Sequence, residues 1–288
     1  MKKSIEDSNL LAFIAENFEL HSHKSEWWRT YSEVFFLDVK NLNTPTNDSF
    51  RFGELGTINF PFQSFGLVNT TNLFNLDELI IFSWYFKNKN RYKKVLDLGA
   101  NTGLHSLIMS KMGFMVEAYE PDPIHFKLLE RVVSRNFPLN SRILIHEKAV
   151  SNLQGKAEFI QMLDNTTGSH ISGAKSTPYG KLKKIFVDTV AVDSILSKNF
   201  DFVKMDVEGS EIILLSALSK KNILKTEFMI EIGNPENARL LLVELERLEL
   251  NAFSQKNNWA QVRSIEDVPT SHRDGSLFLT TKSKMDWM

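Results

Sequence analysis

The chain has 288 residues, 42% hydrophobic and 24% charged, an ordinary composition for a globular protein with a sizeable core. Lys and Arg number 34 against 35 Asp and Glu, a net charge of −1, so composition makes no case for nucleic acid or a membrane surface as partner. Cysteine is absent, which excludes disulfides, thiolate zinc sites and cysteine nucleophiles.

Lys2 and Lys3 are followed by Glu6, Asp7 and Glu16 rather than by an apolar leader, and no run reaches the ~18 apolar residues of a membrane span. A cytoplasmic protein is expected. The chain changes character near residue 90. Residues 1–90 are rich in Phe, Asn and Thr and are expected to form an α+β extension. Residues 91–288 alternate compact apolar strands with helical patterns, the signature of βαβ units and a parallel sheet.

In chain order, residues 4–19 predict an amphipathic helix, Val34 to Val39 a strand, Asn41 to Ser49 a loop and Phe50 to Phe62 a hairpin. Asn75 is the expected N-cap of a helix to Lys87, with Asp77 and Glu78 in its first turn. Strands follow at 95–98 and 115–119, and helices at 104–112 and 123–136. Strands are predicted at 143–145 and 157–162, then a polar loop over 166–184 and a strand over 185–190. A short helix at 192–196, a strand at 202–206, a helix at 211–218, a strand at 228–232, a helix at 235–248 and a last strand at 276–281 complete the pattern.

Three motifs carry chemistry. In the first, the strand ending at Asp97-Leu98 runs into Gly99-Ala100-Asn101-Thr102-Gly103, which opens a helix whose first N–H groups lack backbone partners. Gly99 is read as allowing a ligand close to the backbone, so that Gly99→Val removes binding and leaves the fold intact; Gly103 is read as serving tight packing or a positive φ. Asn101 stands where the dinucleotide fingerprint G-x-G-x-x-G has its second glycine, which argues against a nicotinamide oxidoreductase. An acid at Asp97 suits a ligand bearing a positive amine. Second, Glu120 ends the next strand, placed to accept both ribose hydroxyls of a nucleoside and expected to be partly wet. Third, Asp206 and Glu208 lie at the carboxyl end of a buried strand, where carboxylates can orient a hydroxyl, act as general base or hold a divalent ion; the competing reading is that Glu208 and Glu211 cap or pair at the start of the following helix. His105, in the first turn after the glycine loop, is either a helix-face histidine or a hydrogen-bond partner of a ligand.

Four blocks in order, Asp97-Leu98-Gly99-Ala100-Asn101-Thr102-Gly103, Tyr119-Glu120-Pro121-Asp122-Pro123, Ala149-Val150-Ser151-Asn152 with Gly155, and Lys204-Met205-Asp206-Val207-Glu208-Gly209, resemble the FkbM family of S-adenosylmethionine-dependent methyltransferases. The resemblance covers roughly residues 93–232. It implies a Rossmann-like class I methyltransferase sheet of seven strands whose last strand is antiparallel. By position it implies that Asp97, Gly99, Ala100, Asn101, Thr102, Gly103, His105, Glu120, Pro121, Ala149 and Asp206 serve the cofactor S-adenosyl-L-methionine, with Ala149 beside the adenine. Asp206 and Glu208 match the acidic motif near the methyl group. The chain departs from the family in Thr102, where an apolar residue is usual, and in Gly233 after Glu231-Ile232, where a histidine often stands.

The reading is an enzyme that methylates a hydroxyl of a sugar, glycan or hydroxylated natural product. Asp206 or Glu208 is the expected base, Glu231 the reserve, and no metal is expected. N-methylation and a non-catalytic nucleotide-binding protein remain alternatives. Residues 1–90 are expected to shape the acceptor pocket or a homodimer contact.

Overall fold

The computed structural model describes residues 3–66, 68–175, 180–271, 274–285 and 287. The N-terminal segment holds helices α1 (Leu10–Glu16) and α2 (Glu26–Leu42), a hairpin of β1 (Ser49–Arg51) and β2 (Thr57–Asn59), and helix α3 (Leu76–Lys87). Then come β3 (Lys94–Leu98), α4 (Leu104–Lys111), β4 (Met115–Tyr119), α5 (Pro123–Arg135) and β5 (Ile143–His146). Four strands follow: β6 (Ala149–Ser151), β7 (Gly155–Met162), β8 (His170–Ile171) and β9 (Leu182–Ala191). Next are α6 (Val192–Leu196), β10 (Phe202–Met205), α7 (Glu211–Ser216), α8 (Lys220–Ile223), β11 (Glu227–Ile230) and α9 (Pro235–Leu248). The chain closes through β12 (Asn251–Ser254), β13 (Ala260–Gln261) and β14 (Leu277–Thr280).

The main sheet has the order β13-β12-β14-β11-β10-β3-β4-β5. The five strands from β11 to β5 are parallel, and β14 is inserted antiparallel between β11 and β12. These are the seven strands with an antiparallel last strand that the family resemblance implied, plus the two-residue edge strand β13. Alternate residues of each strand enter opposite cores, as the period of two requires. Val95 joins α1, α3, α4 and α5 on one face, while Leu96 and Leu98 join α6, α7 and α9 on the other. A smaller sheet of order β6-β9-β7-β8 stands beside the carboxyl ends of the parallel strands.

Local signals explain the helices. Asn75, Asp122 and Asn234 each accept a backbone N–H of the first turn of α3, α5 and α9, and Pro123 and Pro235 open the latter two. The strand predicted at Val34 to Val39 is instead part of α2. Its run of apolar residues reads as β, but the buried members Tyr31, Phe35 and Val39 recur every four residues, and Ser25 caps the helix. Strands β6 and β12 are short and escaped the sequence pattern, and β9 begins inside the segment read as a loop. Part of that loop, 176–179, lies outside the described residues.

The N-terminal segment shares one core with α4 and α5 rather than having its own. His21 pins it to the far end of the chain. Its ring donates from Nε2 to the Ile14 carbonyl at 2.8 Å, accepts from Trp259 Nε1 at 3.0 Å, and lies edge-on to Trp287. Burial depresses the His21 pKa to about 4, so the folded ring stays neutral where an unfolded one, near 6.5, would charge. Stability from this residue is therefore complete above pH 6.5 and is lost as pH falls toward 4, a difference of about 3 kcal/mol at 1.36 kcal/mol per unit. Urea unfolding at pH 7 and pH 4.5 should show this loss, and His21→Gln should flatten it.

Candidate active site

A cavity of about 640 Å³ opens where strands β3, β4, β10 and β11 end. Between β3 and β10 the strand order reverses, and crevices outside the carboxyl ends at such a point are where open α/β sheets bind ligands. Gly99, Glu120, Asp206 and Glu231, which follow those four strands, all line it.

The turn after β3 is held by the protein itself. Gly99 and Ala100 donate to the Tyr119 carbonyl at 3.0 and 2.9 Å. Gly99, Asn101 and Gly103 have φ of +76°, +52° and +88°. A Cβ on Gly99 would stand 1.8 Å from the Asp206 carbonyl oxygen. The space that the sequence assigned to a ligand is thus filled by the end of β10, and Gly99→Val cannot leave the fold intact. A Cβ on Gly103 would stand 2.5 Å from Leu129 Cδ1, so this glycine lets α5 pack against the turn.

Glu120 is buried, only 6% exposed, rather than partly wet. Its Oε2 accepts from Asn101 N at 2.7 Å and its Oε1 from Asp122 N at 2.8 Å. Burial pushes the carboxyl up to about 8, against the pull of those two N–H groups. Each oxygen keeps a further lone pair, so the group can still take two hydroxyls from the cavity side. Asn101 lines the same wall, and its buried Oδ1 has no hydrogen-bond partner. A nucleoside with vicinal hydroxyls fits these acceptors.

Pro121, Ala149 and Glu208 also line the cavity. Asp97, Ala100, Thr102, Gly103 and His105 do not; they lie behind the wall. Asp97 accepts from Ser106 Oγ at 2.6 Å, and the cation its charge acts on is the protein's own Lys204. Thr102 is buried with its hydroxyl unpartnered. His105 bridges two other side chains, with Nδ1 2.9 Å from the Tyr85 hydroxyl and Nε2 2.8 Å from Glu78 Oε2.

The acidic loop after β10 is knitted from both sides. Lys204 Nζ lies 3.1 Å from Asp206 Oδ2. Burial opposes the Lys204 charge, but Asp206, Asp97 and Glu78 outweigh it and hold its pKa above the usual lysine value. Glu208, with φ +53°, forms an ion pair with Lys175 from the segment after β8. Glu211 Oε1 accepts from the Val207 and Gly209 N–H groups, as a helix-start cap would, and burial raises its carboxyl to about 7.

Sequence reasoning missed Glu78, Lys175, His125 and Lys204. Glu78 reaches the cavity from the N-terminal segment, with Asn72 and Asn75 beside it, and was read only as a first-turn acid. Thr166, bonded to His125 Nε2 at 2.9 Å, brings the rim of the small sheet over the opening. Among the described residues no group of three or more His, Asp or Glu could hold a metal ion, and no helix is long and apolar enough to cross a membrane.

Gly99→Ala should cost stability at the top of the range for point changes, ~4–5 kcal/mol, because backbone must move. Gly173→Ala, also at positive φ but with nothing within 4 Å, should cost only the backbone term of about 1–2 kcal/mol. Thermal melts of the two proteins check the contrast.

Residues 97–267 match the family model described as the methyltransferase FkbM domain. Among solved structures, the chain is similar to a methyltransferase FkbM from Methylobacillus flagellatus KT, at 19% identity and a TM-score of 0.42, over 73% of this chain and 52% of that one. It is also similar to the SAM-dependent methyltransferase from Agrobacterium tumefaciens, at 11% identity and a TM-score of 0.42, over 82% and 71%. The chain therefore spans about half the length of the Methylobacillus protein. No curated protein matches it. Since the domain match covers more than half of the chain, the protein belongs to the FkbM methyltransferase domain family.

Proposed function

We propose that the protein is an S-adenosylmethionine-dependent methyltransferase acting on a hydroxyl of a neutral sugar, glycan or hydroxylated natural product. The observation that carries this reading is the Glu120 carboxyl group facing a cavity at the switch point, hydrogen-bonded to the Gly99–Gly103 turn. Glu120 would accept the ribose hydroxyls, Asn101 would supply a further acceptor, and Ala149 would lie against the base. The cofactor supplies an electrophilic methyl group. The protein's part is to place an acceptor oxygen in line with it, which is worth about 7–11 kcal/mol of barrier.

Asp206, Glu208 and Glu231 line the wall and are proposed to hydrogen-bond the acceptor. Proton uptake suits Asp206 poorly. It would strand Lys204, 7% exposed, without its nearest counter-charge. Orientation suits it better. Among the described residues the wall carries the carboxylates Glu78, Asp122, Asp206, Glu208 and Glu231, besides the largely protonated Glu120, against Lys175 as the one lining lysine or arginine. This favours neutral over phosphorylated acceptors, since like charges at close range cost several kcal/mol. In assays following S-adenosylhomocysteine release, a sugar phosphate should be turned over at least tenfold less well than the free sugar.

Glu120 gives the direct test. With its pKa near 8 it is mostly protonated at pH 7, whereas two hydroxyl donors favour the carboxylate. Binding of S-adenosylhomocysteine at pH 7 should therefore release close to one proton, seen by calorimetry in buffers of different ionisation enthalpy. Glu120→Gln should abolish the release, and Glu120→Ala should weaken binding about 10–100-fold. Unchanged affinity in Glu120→Ala would remove the nucleoside site.

A further inference from the structure

Glu78 is the one cavity carboxylate that comes from the N-terminal segment and is gripped from behind by a chain of buried side chains. Asn75 places it, as its side chain accepts the Glu78 N–H at 3.0 Å and fixes the first turn of α3. Behind it stands His105 in α4, whose Nε2 is 2.8 Å from Glu78 Oε2. Behind that stands Tyr85, about two turns further along α3, with its hydroxyl 2.9 Å from His105 Nδ1.

With His105 as a neutral ring, the protons in this chain run one way. A carboxylate accepts and cannot donate, so His105 Nε2 carries the hydrogen. A neutral ring then leaves Nδ1 as acceptor, and the Tyr85 hydroxyl must donate to it. Tyr85 is fully buried, which holds its proton well beyond the ordinary tyrosine range, with Asp97 and Glu78 adding to the effect. The result is a fixed direction, Tyr85 to His105 to Glu78, that occupies Oε2 of a carboxyl group on the cavity wall and leaves its Oε1 able to accept. Asp206 and Glu208 are each paired directly with a lysine, whereas Glu78 acts on Lys204 only at longer range and is held by the His105 N–H, a hydrogen bond that survives when the carboxyl gains a proton.

We propose that Glu78 is the catalytic residue that receives the proton of the acceptor hydroxyl, and that His105 and Tyr85 are its positioning residues. This rests on the O-methylation reading above. As the new oxygen–methyl bond forms, the methyl–sulfur bond breaks and its electron pair stays on sulfur. The hydroxyl proton passes to Glu78 Oε1 and leaves later to solvent, with S-adenosylhomocysteine and the methyl ether as products.

The experiment uses the full chain, a panel of free sugars and alkyl glycosides as acceptors, and S-adenosylhomocysteine as binding probe. Glu78→Gln should lower kcat at least 100-fold, the scale of a general base, with S-adenosylhomocysteine affinity within threefold of wild type. His105→Ala should lower kcat about tenfold with KM little changed, and His105→Gln, which restores an N–H toward Glu78, should recover most of it. Long-range ¹⁵N spectra of the unliganded protein should show His105 with Nε2 protonated and Nδ1 bare. Turnover of Glu78→Gln within threefold of wild type would overturn the proposal, as would an Nδ1-protonated His105. So would a tenfold loss of S-adenosylhomocysteine affinity in Glu78→Gln, which would make Glu78 a cofactor residue. If wild type binds S-adenosylhomocysteine but turns over no member of the panel, the O-methylation reading fails and the role of Glu78 fails with it. If wild type does not bind it, the cofactor assignment itself is wrong.

Discussion

A single buried ammonium sets the terms of the site. Lys204 lies in β10, almost out of contact with water, and keeps its charge because Asp206, Asp97 and Glu78 act on it together. An unpaired ammonium there would cost several kcal/mol, so each of the three carboxylates has a structural reason to stay where it is. They come from three separate stretches: the strand end before the glycine turn, the loop after β10, and the first turn of α3. One charge therefore ties the N-terminal segment to the two strands at the switch point. Removing it would loosen the wall on both sides of the cavity at once.

That arrangement separates what could be read in the chain from what could not. The strand ends at Leu98, Tyr119 and Met205 were legible because each is a short apolar run stopped by an acid or a glycine, and local pattern suffices for that. The sheet order and the antiparallel β14 came with the family resemblance and not from periodicity. Glu120 was legible as an acid at the right distance from the turn, but its burial was not. Burial depends on Asn101 and Asp122 folding over it, and neither contact has a signature in spacing. Lys204 and Glu78 are the deeper omissions. A lysine inside an apolar strand and a glutamate in a helix's first turn each have ordinary local explanations, and only the packing of α3 against β3 and β10 reveals their common purpose.

Residues 1–90 illustrate the same limit. Val34 to Val39 contains the residues that favour strands, yet it lies in a helix because Tyr31, Phe35 and Val39 find a core to face. Tertiary burial outweighs a propensity difference of a few tenths of a kcal/mol per residue. The core in question is shared with α4 and α5, so the segment carrying Asn72, Asn75 and Glu78 is held as firmly as the sheet. A pocket wall built this way can present a carboxylate in a fixed pose, which a loosely tethered extension could not.

The glycine turn follows the same logic of prior ordering. Gly99 is fixed by the Asp206 carbonyl, Gly103 by Leu129, and the Asn101 N–H by Glu120, all contacts the protein makes with itself. The nucleoside proposed for this site would not need to organise the turn, and so would avoid the ordering cost that binding otherwise carries. The stability cost falls on Glu120, whose charged form is disfavoured by burial and is relieved only when donors reach it from the cavity. On the proposed reading, the fold stores at one carboxylate a preference for a ligand with paired hydroxyls. The same burial that destabilises the empty charged site strengthens each hydrogen bond made there.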